Sequence, residues 1–121
     1  MTPEEYAQKI LKAYEEHTPL FTEDWANALN VSTWTFHRWW KKAGFKVRPH
    51  RFISIQRFKR VREYMLDHPH VSIKQVAVAN GFKDGNFLHK WLITNFPKVG
   101  SPSQMHTQLR NGKHFFDLTQ D

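Results

Sequence analysis

The chain has 121 residues, 18 Lys and Arg against 11 Asp and Glu, a formal charge of +7 and no cysteine. That length fits one compact domain or two small lobes, and excludes a barrel or a doubly wound enzyme with a separate substrate domain. Hydrophobic residues make up 40% and aromatics 15% of the chain, enough to bury a core, and without cysteine there is no disulfide, thiolate zinc site or Cys nucleophile.

The apolar spacing is helical throughout, and no segment alternates with a period of two. Pro3 in a first turn, beside Glu4 and Glu5, opens helix one. Tyr6, Ile10 and either Ala13 or Tyr14 form its stripe, and Thr18-Pro19 ends it. Thr22 is the predicted N-cap of helix two, with Glu23 and Asp24 in its first turn, and the helix runs to about Leu29. Ser32 caps helix three, which continues to Lys42-Ala43 and stops at Gly44. Residues 45–51 read as a basic connector containing Pro49. Helix four spans about Phe52 to Asp67 with Ile55, Phe58, Val61 and Met65 on one face, and Pro69 forbids its continuation. Ser72 caps helix five, which ends near Asn80-Gly81, and Asp84 caps helix six, from about Gly85 to Asn95. Phe96-Pro97 closes it. Ser101 or Ser103, next to Pro102, starts a short helix seven ended by Asn111-Gly112. The fold class is therefore all-α with about seven helices.

The charge is unevenly placed. Residues 1–24 hold two bases and six acids, residues 25–62 hold ten bases and no acid, and residues 63–121 hold six bases and five acids. The middle block is interleaved with five aromatics between Trp34 and Phe45. A like-charged surface of this kind repels itself, and a phosphate backbone relieves that. A nucleic acid is the partner this pattern points to.

The chain also repeats itself. Placing Ala26 on Ala77 puts Asn30 on Gly81 and Val31 on Phe82. One extra residue in the second turn then puts Ser32 on Asp84, Phe36 on Leu88, Arg38 on Lys90 and Trp39 on Trp91. Each pair has a role in a helix-turn-helix: a small residue where the helices cross, a residue tolerant of positive φ in the turn, an apolar plug, and a cap on the second helix. The core faces of helices three and six are then Phe36, Trp39, Trp40 and Leu88, Trp91, Leu92. Left outward are Thr33, Trp34, His37, Arg38 and Lys41 on one helix, and Gly85, Asn86, His89, Lys90, Ile93 and Thr94 on the other. Arg38 can fork onto a guanine edge and Asn86 can pair with adenine. Trp34 is either a core residue on a wide stripe or an exposed ring that packs on a thymine methyl or a sugar.

The segment S-T-W-T-F-H-R-W-W-K-K from Ser32, the run Arg57-Phe58-Lys59-Arg60, and S-I-K-Q-V-A-V-A-N-G-F-K-D-G-N-F-L-H-K-W-L from Ser72 resemble the DNA-binding domain of the AraC/XylS family of bacterial transcription regulators. The last segment is similar to that family's I-x-x-I-A-x-x-x-G-F-x-[DS]-x-x-x-F-x-[RK] signature, and Pro102 in S-P-S-Q-M matches its S-P-x-x-[YF] ending in part. The likeness covers about residues 22–109 and is to the stand-alone, MarA/SoxS-type members. It implies two helix-turn-helix units joined by a long central helix: residues 1–50 as helix one and the first unit, 51–67 as the linking helix, 68–112 as the second unit, and 113–121 as a tail. It further implies a monomer that places two recognition helices, about 32–43 and 84–95, in successive major grooves of double-stranded DNA. Base contacts then fall on Trp34, His37 and Arg38 in the first unit, and on Gly85, Asn86, His89 and Lys90 in the second. Phosphate contacts are assigned to Ser32, Thr33, Lys41, Lys42, Lys46, Arg48, Arg51, Arg57, Lys59, Arg60 and Thr94. The chain departs from the family pattern at Gly85, where a long polar side chain is common, at Lys90 in place of Arg, and at Ile93 in place of a basic residue. The second unit is thus expected to contribute phosphate contact and shape more than base reading.

By the same likeness the chain is a transcription activator that contacts RNA polymerase or another regulator, bacterial, cytoplasmic and associated with the nucleoid. Two other functions fit the residues: a recombination or replication accessory of a mobile element, and an interaction protein that modulates another regulator. No catalytic residue, cofactor or metal is expected. His68-Pro69-His70 and His50 match no zinc spacing, and the acids sit at helix ends. The N-terminus lacks the basic and apolar regions of a signal peptide, and no run approaches a membrane span, so no membrane partner is expected. Phe115-Phe116-Asp117-Leu118 is predicted to fold back onto helix seven, or else to serve as a docking segment.

Overall fold

Seven α-helices follow one another along the described residues of the computed structural model, which are 1–118. They are α1 Pro3–His17, α2 Thr22–Ala28, α3 Thr33–Ala43, α4 Pro49–Asp67, α5 Ile73–Ala79, α6 Gly85–Asn95 and α7 Pro102–Arg110, with a 3-10 turn at Phe116–Leu118 and no strand among these residues. The all-α expectation holds. None of these helices is long and apolar enough to cross a membrane. The chain divides into two compact units, residues 1–53 and Ser54 onward, each with its own core.

In the first unit α1 starts with a reciprocal cap. The Thr2 hydroxyl accepts from the Glu5 N–H at 3.2 Å, and the Glu5 carboxylate accepts from the Thr2 N–H at 3.3 Å. These bonds hold the Glu5 carboxyl below its usual range. The stripe buries both Ala13 and Tyr14 beside Ile10. At the centre of the unit is Trp25, fully buried, with its indole N–H donating to the Ile10 carbonyl at 2.9 Å. Four rings surround it, those of Tyr14, Phe36, Trp40 and Phe52, at centroid distances of 5.2 to 5.6 Å. Such tilted and edge-on packing is the favoured geometry for aromatic pairs, and it makes this small core mainly an aromatic one.

Two boundaries differ from the sequence expectation. Thr22 is the first residue of α2 and not its cap. Phe21 takes the cap position with no side-chain bond, and its carbonyl accepts from the Trp25 N–H at 3.1 Å. The register that buries Trp25 and Ala26 sets this start ahead of cap chemistry. Helix α4 begins at Pro49, three residues before the predicted Phe52, and the Phe52 N–H already donates to the Arg48 carbonyl at 3.0 Å. Proline at a first helical position forfeits only a donor that has no intrahelical acceptor, so Pro49 opens the helix and leaves a shorter connector.

The second unit packs the predicted face of α4, Ile55, Phe58, Val61 and Met65, against Val76 and Ala77 of α5, Leu88 and Leu92 of α6, and Met105 and Leu109 of α7. Ser101 caps α7, with the Gln104 side chain closing the reciprocal bond to the Ser101 N–H at 2.8 Å. Gly112 and Phe115 both take positive φ, so the chain reverses after α7. Phe115 enters the core at 6.3 Å from the Phe58 ring. The tail therefore folds back into the core that α4 shares with Met105 and Leu109 of α7. The buried Arg62 of α4 donates to the His114 carbonyl at 3.4 Å, and its guanidinium lies 4.8 Å from the Phe116 ring centroid, so among the described residues burial leaves this charge one carbonyl acceptor and one ring face. Residues 119–121 of the predicted tail lie outside the described residues.

Candidate nucleic-acid interface

Both helix-turn-helix turns close in the same way. After α2, Asn30 adopts φ 58°, its N–H donates to the Asn27 carbonyl at 3.0 Å, and the Val31 N–H reaches back to the Ala26 carbonyl at 3.1 Å. After α5, Gly81 adopts φ 84°, its N–H donates to the Val78 carbonyl at 3.2 Å, and the Phe82 N–H reaches back to the Ala77 carbonyl at 2.9 Å. Each is a Schellman closure, with the αL residue the repeat predicts and an apolar residue packed behind it. The caps repeat too. The Ser32 hydroxyl accepts from the Thr35 N–H at 3.1 Å, and the Asp84 carboxylate accepts from the Phe87 N–H at 3.0 Å. The residues that set the direction of α3 and α6 are thus fixed by local backbone chemistry.

On α3, Thr33, Trp34, His37, Arg38, Lys41 and Lys42 are all exposed. Trp34 is 68% exposed, which places it outside the core and on the solvent face of α3. The Arg38 guanidinium lies over its ring, 4.7 Å from the centroid, so the two side chains one helical turn apart form a single cationic plate. His37 sits edge-on to the buried Phe36 ring at 5.9 Å. The Lys42 ammonium lies 5.6 Å from the Tyr6 ring centroid. Lys46 and Arg48 follow, exposed, in the short connector, and Arg51 and Lys59 are half-buried on α4 while Arg60 is exposed. Ser32 is exposed, but its hydroxyl is engaged in the cap.

On α6, Asn86, His89, Lys90, Ile93 and Thr94 are exposed. Gly85 is half-buried, and a Cβ there would meet Ile73 at an ordinary 3.7 Å. The helix also presents Phe87, 53% exposed, with the Lys83 ammonium 5.7 Å from its ring centroid. Periodicity assigned Phe87 to neither face. The available signal was an aromatic residue one position off the 88, 91, 92 stripe. Arg57 occupies a different environment from the other cations. Its guanidinium lies 4.1 Å from the centroid of Phe82, the plug of the second turn, and 5.4 Å from that of Trp91 on α6. It braces the second helix-turn-helix from α4.

A family model described as a helix-turn-helix domain, of the AraC type, matches residues 25–96. The match begins at Trp25 in α2, ends at Phe96 after α6, and so takes in both turns together with α3 and α6. Neither the curated proteins nor the solved structures compared with the chain gave a significant match. The family is one of DNA-binding regulators and not of enzymes. With two equivalent turns, each followed by a capped helix, and a match across more than half its length, the chain belongs to the AraC-type helix-turn-helix family of DNA-binding transcription regulators.

Proposed function

We propose that the protein reads double-stranded DNA with α3 as its principal sequence-specific helix and α6 as a second, weaker reader. The observation that carries this is the outward face of α3. Trp34, His37, Arg38 and Lys41 are all exposed there, within a stretch from residue 25 to 62 that contains no acid. Base contacts fall on Trp34, His37 and Arg38 of α3, and on Gly85, Asn86, His89 and Lys90 of α6. Arg38 carries the guanine fork. Lys41, Lys42, Lys46, Arg48, Arg51, Lys59 and Arg60 neutralise phosphates, the hydroxyls of Thr33 and Thr94 donate to phosphate oxygens, and Ser32 contributes through its capped helix start. Arg57, stacked on Phe82 and Trp91, supports α6.

By the family likeness, α3 and α6 enter successive major grooves, about 34 Å apart. The protein binds as a monomer and activates transcription through polymerase contact, a role supported by the family likeness. A footprint on the region upstream of its own gene tests this reading. Protection of one asymmetric site about two helical turns long is expected, whereas a palindromic site requires a dimer and overturns the monomer reading. Transcription in vitro with purified polymerase then reads the sign of regulation.

A further inference from the structure

A cavity of about 500 Å³ opens beside the C-terminal half of α3, wholly within the first unit. Its volume is in the range of small-molecule sites, roughly 300–1,000 Å³. Its apolar wall comes from Phe45, Val47 and Pro49, with Trp40 behind, stacked on Phe45 at 4.0 Å between ring centroids. The Trp40 indole N–H donates to the Val47 carbonyl at 2.9 Å, which fixes the connector against the helix and gives that wall a defined shape. Around the rim stand Lys41, Lys46 and Arg48, and no acid lines the cavity. None of these three cations is ion-paired among the described residues.

An aromatic and aliphatic wall beneath three uncompensated cations suits a flat ring bearing a negative charge. A phosphate alone would use the rim and leave the apolar wall wet. A neutral ring would use the wall and leave the cations without a counter-charge. We propose that this cavity binds a small planar aromatic carboxylate, and that its occupant and duplex DNA exclude one another. The exclusion rests on the proposed reading, in which Lys41, Lys46 and Arg48 are also phosphate contacts. DNA binding would then respond to a small molecule through the reading unit itself.

The test uses the full chain and 2-naphthoate, with 2-naphthalenemethanol as the neutral analogue and inorganic phosphate as the charge-only analogue. Amide chemical shifts are followed without DNA present. Saturable shifts confined to residues 37–50, with the alcohol and phosphate each binding at least tenfold more weakly, are expected. The K46Q/R48Q variant is expected to lose about tenfold in naphthoate affinity while its spectrum elsewhere is unchanged. Equal binding of phosphate, or shifts scattered over both units, would overturn the site. In a second arm, anisotropy of a labelled mixed-sequence duplex is measured with and without saturating naphthoate. A rise of at least fivefold in the DNA dissociation constant supports mutual exclusion, and an unchanged constant refutes it. Loss of DNA binding without any naphthoate would instead count against the functional reading, which keeps the two failures apart.

Discussion

Removing Arg38 and Trp34, singly and together, separates reading from folding. Both side chains are exposed, Trp34 by 68%, and they meet at 4.7 Å in a cation–π stack. An exposed stack is worth about 0.5–1 kcal/mol. Alanine regains a few tenths of a kcal/mol in helix propensity at either position. Arg38→Ala and Trp34→Ala should therefore change folding stability by less than about 1 kcal/mol. On DNA the expected loss is larger. A guanidinium forked onto a guanine contributes about 1–3 kcal/mol of discrimination, or roughly 5- to 150-fold, at one base pair. Trp34 holds the guanidinium flat, so the two losses should overlap, with a coupling of about 0.5–1 kcal/mol in a double-mutant cycle. The assay is urea unfolding of each variant, followed by anisotropy against a duplex series in which each base pair is replaced in turn. If Arg38→Ala leaves the preference at every position within twofold, α3 is not the reader. If either variant loses more than about 2 kcal/mol of stability, the pair belongs to the core and the reading-face assignment fails.

Three further outcomes follow from the packing. Arg57→Ala removes a guanidinium from above Phe82 and Trp91 together with its packed stem, and should cost the second unit about 1–3 kcal/mol, seen in urea unfolding, while Arg60→Ala at an exposed site should cost under about 0.5 kcal/mol. Gly81→Ala should lose about 1–2 kcal/mol from backbone strain alone, because φ is 84° and nothing lies within 4 Å of the new Cβ, whereas Asn30→Gly should be neutral to within about 0.5 kcal/mol. Burial, and then the charge of Arg110, hold the imidazole of His106 below its ordinary pKa. The folded state then keeps it neutral where the unfolded chain takes up a proton, so stability should fall as the pH drops through about 6.5 and level off below the lowered folded value, and His106→Leu should flatten that slope in unfolding midpoints between pH 8 and 5.

The turns were legible from sequence because few residue types tolerate positive φ. Asn30 and Gly81 sit where the repeat put them, each followed by its apolar plug and a capping Ser32 or Asp84. The apolar stripes of α1, α4 and α6 were legible because burial follows the helical period. Starts set by tertiary packing were less so: Pro49 acts as the first residue of a helix and Phe21 displaces Thr22 from the cap. Periodicity also says nothing about what a cation rests on. Arg57 stands in a run of basic residues, yet it covers two rings, and the buried Arg62 holds the tail against α4. Trp34 was balanced between core and surface because a helix of eleven residues with four aromatics has a wide stripe, and only the packing around Trp25 shows which rings the core has room for.

Whether the basic residues of α3, the connector and α4 neutralise DNA phosphates is decided by the salt dependence of duplex affinity. With Lys41, Lys42, Lys46, Arg48, Arg51, Lys59 and Arg60 on phosphates, log K plotted against log salt should fall with a slope near −6, at about −0.9 per phosphate neutralised. Replacing Lys46 with Gln should make that slope shallower by about one, equally on every sequence. An affinity that stays flat from 50 to 200 mM salt would contradict phosphate neutralisation.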